Sequence, residues 1–182
     1  MANKPKLSEE KILVAGAGGQ GVMLLGKIIA LAAMHEGMHV TFIPSYGSEV
    51  RGGTSYCLVK VSRTKIASPV FDKFTVLFAL NSPSWDKFMP KAYSGALAIV
   101  NTSLCDIKKR APFKVIKVPL NHLAQKLGSL RTINLIAVGA FVKHAKICKG
   151  SSVETVIKKY FSGNQNIINL NLQAFKQGLN YD

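Results

Sequence analysis

Six residues, Gly16-Ala17-Gly18-Gly19-Gln20-Gly21, constrain this chain more than any others. They end the short apolar run KILVAGA (11–17) and lead into GVMLLGKIIALAAMHEG (21–37). A short apolar run closing on glycine reads as a buried strand. A stretch that is apolar nearly all round reads as a buried helix, here from about Val22 to Glu36 with Gly37 as its stop. Strand, G-x-G-x-x-G and helix in that order form the opening unit of an α/β fold. Glycines at such a turn let backbone approach a ligand closely. The first N–H groups of the helix have no intrahelical partner and lie at its partially positive end, so they suit an anion. The same spacing also serves as a bare strand-to-helix turn.

The rest of the chain continues the alternation. HVTFI (39–43), TSYCLVKVS (54–62), FTVLFAL (74–80), ALAIVN (96–101) and FKVIKVP (113–119) read as strands, with a short helix at SPSWDKFM between the fourth and fifth. The last third reads as helices: NHLAQKLG, RTINLIAVGAFVKHA, SSVETVIKKYF and NIINLNLQAFKQG. Ser151 and Glu154 have capping-box spacing, and Gly178 reads as the stop of the final helix. The expectation is one α/β domain over 1–182, Rossmann-like, with an open, mostly parallel sheet flanked by helices and a helical C-terminal third.

The loop after the second strand, PSYGSEVRGG (44–53), is unusually equipped. It carries Tyr46, Glu49 and Arg51 among Gly47, Gly52 and Gly53. It stands where a dinucleotide-binding domain places the carboxylate that holds the ribose hydroxyls. The second strand instead ends Phe42-Ile43-Pro44-Ser45, with no acid and no arginine for a 2′-phosphate, which speaks against NAD(P).

Three other signals narrow the function. His35-Glu36-Gly37-Met38-His39 spells H-E-x-x-H, but zinc chemistry needs both imidazoles on one unbroken helix, and Gly37 breaks it. Cys57, Cys105 and Cys148 lie far apart with no C-x-x-C, so they read as buried reduced thiols and not as zinc or iron–sulfur ligands. With 24 Lys and Arg against 9 Asp and Glu, the net charge is +15. The basic residues are scattered and little interleaved with aromatics, so nucleic acid is disfavoured. An acidic partner protein, a polyphosphate ligand or a solvated surface accounts for the charge equally well. No run approaches a membrane span, and the polar start MANKPKLSEEK has no apolar signal core, so a cytoplasmic chain is expected.

Taken in order, GAGGQGV, SYGSEVRGG, TSYCLVKVS, IASPV, LFALNSPSWDKF, ALAIVN, RTINLIAVGAF and NLQAFKQG resemble the gamma subunit, or gamma domain, of 2-oxoacid:ferredoxin oxidoreductases. The resemblance covers almost the whole chain. The YG-x-E-x-RGG form looks closer to the 2-oxoglutarate and 2-oxoisovalerate branches than to pyruvate gamma subunits, with 2-oxoglutarate favoured. It implies a non-autonomous subunit of an enzyme that oxidatively decarboxylates a 2-oxoacid, joins the acyl group to coenzyme A and reduces ferredoxin. It further implies alpha and beta partner subunits, and a small ferredoxin-like delta subunit in some complexes. Thiamine diphosphate and iron–sulfur clusters are then expected on those partners; this chain shows neither a G-D-G thiamine motif nor a cluster cysteine pattern.

The residues carried into a coenzyme A-contact or docking role are Gly16, Gly18, Gly19, Gln20 and Gly21 of the first loop. From the second come Tyr46, Gly47, Glu49, Arg51, Gly52 and Gly53. No catalytic residue and no metal ligand is assigned. Two other readings stay open on sequence: a free-standing nucleotide-binding oxidoreductase, from G-x-G-x-x-G, and a basic nucleic-acid module, from the charge.

Overall fold

The computed structural model describes residues 9–45, 54–107 and 111–181. Six strands form one sheet in the order β2-β3-β1-β4-β5-β6. They are β1 (Glu9–Ala17), β2 (His39–Ser45), β3 (Thr54–Ser62), β4 (Phe74–Ala79), β5 (Ala92–Asn101) and β6 (Lys114–Val118). The helices are α1 (Val22–His35), α2 (Ser82–Phe88), α3 (Leu120–Lys126), α4 (Ile133–Ala145), α5 (Gly150–Tyr160) and α6 (Gln165–Asn180).

The sheet is mostly parallel, as its sequence pattern predicts. β1, β4, β5 and β6 pair in parallel, whereas β3 runs antiparallel to both β1 and β2. β3 is therefore the one reversed strand. Its alternation fits that place: Cys57, Val59 and Val61 join the core with α1, while Tyr56 and Leu58 pack on the other face.

The two faces are covered unequally. Core residues of α1, α3, α4, α5 and α6 gather with Ile12, Val14, Val76, Phe78 and Ile99 in one large core. Among the described residues α2 is the one helix on the opposite face, where Trp85 and Phe88 meet Leu13, Ala15, Leu77, Ala98 and Val100, helped by Phe71, Ile107 and Phe113 from connecting segments. Lys60 is buried on that side, where its Nζ donates to the Ser68 carbonyl and lies 3.6 Å from Glu9, which ties the segment after β3 back onto the sheet.

Two helix ends differ from their sequence signals. The Ser151/Glu154 capping box does not form: α5 starts earlier, at Gly150, so Ser151 lies inside its first turn. The tie there comes from α1's end, where the Glu36 carboxylate accepts from the Lys149 N–H at 2.6 Å. Gly178 does not stop the last helix, which runs to Asn180. It is the point where α6 rests on the backbone of α4 at Ile136. In both cases a contact distant in sequence overrides the local signal.

Candidate functional site

The carboxyl ends of the parallel strands form one edge, and a group of carboxamide side chains gathers there. β1 ends at Ala17, and Gly18 and Gly19 stand exposed at the turn. Gln20 N–H donates to the Ala17 carbonyl at 3.2 Å, which makes the turn tight. The Gln20 side chain then folds under it: Oε1 accepts from the Ala17 N–H at 2.6 Å and from Asn81 Nδ2 at 3.2 Å. Gln20 thus holds the loop from within. Gly21 begins α1 in the left-handed region, at φ 72, so no side chain caps the helix, and its first turn has no acid. Its amino end faces the edge as a partially positive surface.

The floor of this edge is a row of carboxamides. The Leu80 carbonyl accepts from Asn101 Nδ2 at 3.2 Å and, more weakly, from Gln20 Nε2 at 3.5 Å. Asn101 is almost fully buried. Its Nδ2 also donates to Asn121 at 2.8 Å, and its Oδ1 accepts from the Leu120 and Ser103 N–H groups at 3.1 and 3.2 Å. Asn81 accepts from the Ser84 N–H at 3.0 Å and so caps α2. Gln20, Asn81, Asn101 and Asn121 are uncharged at any working pH, so this floor fixes the loops without repelling an anion. The chain crosses from β1 to one side through α1 and to the other at β4. Open α/β sheets bind ligands in the crevice at such a switch point.

Sequence reading found the first loop but not Asn81 or Asn101. Their signal was an asparagine placed directly after an apolar strand, in LFALN and AIVN. The second loop, with Tyr46, Gly47, Glu49, Arg51, Gly52 and Gly53, lies outside the described residues. Its two ends are described: Ser45 closes β2, and Thr54 opens β3 directly opposite Ala17. Ser45 and Thr54 therefore both stand on the edge that carries Gly18. β3 also separates β2 from β1 by two strand spacings, about 9–10 Å, where a dinucleotide fold sets them side by side. The missing acid and this separation both disfavour NAD(P).

The H-E-x-x-H run is split as expected, with His35 ending α1 and His39 opening β2. Among the described residues no three His, Cys, Asp or Glu side chains gather to hold a metal. Cys57 and Cys148 sit in the larger core and Cys105 in the smaller one, so they do not fit a cluster site. Burial pushes the Cys57 and Cys148 thiols up to about 12 and raises Cys105. At pH 8 a thiol of pKa about 12 is roughly one part in ten thousand thiolate. Native protein at that pH is expected to resist iodoacetamide at Cys57 and Cys148, with labelling at all three cysteines after denaturation, as mass spectrometry would read. Because unfolded thiols ionise from 9.0 while these two stay protonated to about 12, stability falls with rising pH across that window.

Residues 11–181 match the model of the family described as pyruvate ferredoxin/flavodoxin oxidoreductase. The chain belongs to that family. Ketoisovalerate oxidoreductase subunit VorA of Methanothermobacter marburgensis is 34% identical over 97% of this chain, which spans only 37% of that relative's length. 2-Oxoglutarate synthase subunit KorC of Archaeoglobus fulgidus is 29% identical, with 93% of this chain and 86% of the relative covered. The keto/oxoacid ferredoxin oxidoreductase gamma subunit of Geobacter sulfurreducens superposes with a TM-score of 0.80 at 26% identity, covering 93% and 95% of the two chains. A 2-oxoglutarate:ferredoxin oxidoreductase of Magnetococcus marinus, solved with 2-oxoglutarate, coenzyme A and succinyl-CoA bound, shares the fold at TM-score 0.84 and 23% identity. It is covered over 31% of its length, against 96% of this chain. The fold is thus that of oxidoreductase gamma subunits, and the relatives are subunits of oxoacid:ferredoxin oxidoreductases. Among the described residues no helix is long and apolar enough to cross a membrane.

Proposed function

We propose that this chain is the gamma subunit of a cytoplasmic 2-oxoacid:ferredoxin oxidoreductase, and that its carboxyl edge holds the phosphate portion of coenzyme A. The observation that carries the reading is the family match over residues 11–181. The edge adds the chemistry: exposed Gly18 and Gly19 and the amino end of α1, which has no side-chain cap and no acid in its first turn, offer N–H donors to an anion above a neutral carboxamide floor. The net charge of +15 favours the approach of a polyanionic ligand or an acidic partner surface. Coenzyme A bound in the Magnetococcus enzyme of the same fold is consistent with this. Within the assembly this chain binds and orients; decarboxylation and electron transfer belong to alpha and beta partners that carry thiamine diphosphate and the clusters.

For the 2-oxoacid, a ketoisovalerate-type substrate is proposed ahead of 2-oxoglutarate, because the relatives at 34% identity bear the former name and those at 27–29% the latter. Purification of the native protein with its partners, followed by ferredoxin reduction on ketoisovalerate, 2-oxoglutarate and pyruvate, tests both parts. Coenzyme A-dependent reduction fastest on ketoisovalerate is expected. Recovery of the chain without a thiamine-diphosphate subunit would sink the assignment.

A further inference from the structure

The glycine loop has a second wall that neither motif nor resemblance points to. Gly21, which begins α1, lies against Asn134 in the first turn of α4: a Cβ placed on Gly21 would come within 2.2 Å of Asn134 Nδ2 and 2.8 Å of Oδ1. Two helices of 14 and 13 residues therefore start at one point. Neither has a side-chain cap or an acid in its first turn. Thr132, at the cap position of α4, turns its hydroxyl away to donate to the Ser129 carbonyl at 2.7 Å. Arg131, exposed, precedes it. The 3₁₀ turn Leu130–Thr132 runs into α4 and its Leu130 carbonyl accepts from the Ile133 N–H, so the open N–H donors at this point are those of α1.

Asn134 is the independent sign that this point receives something. It is only 6% exposed, and its Oδ1 is buried with no hydrogen-bond partner among the described residues. A buried amide acceptor left without a donor is destabilising, so it is kept where a ligand can satisfy it. A larger side chain at residue 21 would fill the space the amide occupies, so the pair Gly21 and Asn134 leaves the carboxamide facing the loop. No described protein group fixes which end of the amide points outward. It is free to give N–H to an anionic oxygen or to accept from a ligand hydroxyl or amide.

We infer that Asn134, from the first turn of α4, completes the phosphate site begun by the glycine loop as a direct ligand contact. The ligand class is a phosphorylated molecule carrying a hydrogen-bond donor beside the phosphate. This rests on the coenzyme A reading above, so coenzyme A is the probe.

The test uses the purified complex. Calorimetry gives the coenzyme A Kd, and coenzyme A titrations give KM and kcat, for wild type, Asn134→Asp, Asn134→Ser and Gly18→Asp. Asn134→Asp is expected to raise Kd and KM at least tenfold, with kcat at saturation and the 2-oxoacid KM within twofold of wild type. Asn134→Ser is expected to raise Kd at least threefold, and it carries the test if the Asp variant fails to assemble. Unchanged Kd in the Asn134 variants alongside a raised Kd in Gly18→Asp overturns the role of Asn134 and leaves the coenzyme A reading standing. Unchanged Kd in all three overturns both. A lowered melting temperature and kcat with unchanged Kd makes Asn134 structural and also overturns the inference.

Discussion

Gly178→Ala is expected to destabilise the protein by about 3 kcal/mol or more, the upper range for overpacking a core. Helix propensity alone predicts the opposite, a gain of up to about 0.8–1 kcal/mol from replacing a helical glycine. The contact decides the sign. A Cβ on Gly178 would lie 1.9 Å from the Ile136 carbonyl oxygen and 2.7 Å from its carbon. Across the same contact, a Cβ on Gly139 would lie 2.2 Å from the Phe175 carbonyl oxygen. Both obstacles are backbone, so no rotamer change relieves them, and α4 and α6 must move apart. That separation would loosen Phe141 and Phe175 in the larger core. For a chain of this size the melting temperature should fall by roughly 6–12 °C. Gly139→Ala should do the same, and the double variant should cost less than the sum, because the first methyl already parts the helices. A melting temperature that rises in Gly178→Ala would mean the two helices do not approach this closely.

This contact shows what a single sequence reveals. The order of strands and helices was legible because each buried strand is a short apolar block and each helix a longer one. KILVAGA running into G-x-G-x-x-G pointed to the first turn, and the structure puts that turn at the carboxyl edge of the sheet. Sheet order was not legible, because TSYCLVKVS alternates just as well in either direction, and only pairing partners reveal that β3 lies reversed between β1 and β2. Gly178 misled for a related reason: a glycine near a chain's end fits a helix stop and a close helix crossing equally. Asn81, Asn101 and Asn134 went unread because an asparagine signals nothing until its neighbours are known. Asn101 joins Leu80, Ser103, Leu120 and Asn121, residues up to 21 positions away.

Gly18→Asp is expected to weaken coenzyme A binding about 100-fold while leaving the fold intact. Nothing lies within 4 Å of a Cβ built on Gly18, and its backbone is outside the left-handed region, unlike Gly19 at φ 84 and Gly21 at φ 72. A side chain there meets no neighbour and no strain, so stability should stay within about 0.5 kcal/mol, as for ordinary surface changes. The charge is another matter. A carboxylate about 5 Å from a bound phosphate, at an effective dielectric of about 20, opposes it by about 3 kcal/mol, which is roughly two powers of ten in affinity. Gly18→Asn has nearly the same size without charge and should bind within about threefold of wild type. The Asp defect should shrink as salt rises, because the site is exposed and the repulsion is screened over about 10 Å at 0.1 M. Calorimetry on the purified complex at two ionic strengths checks each part. Equal losses in the Asp and Asn variants would assign the effect to bulk at the turn. No loss in either would remove the first glycine loop from the phosphate site and leave it as a strand-to-helix turn held by Gln20.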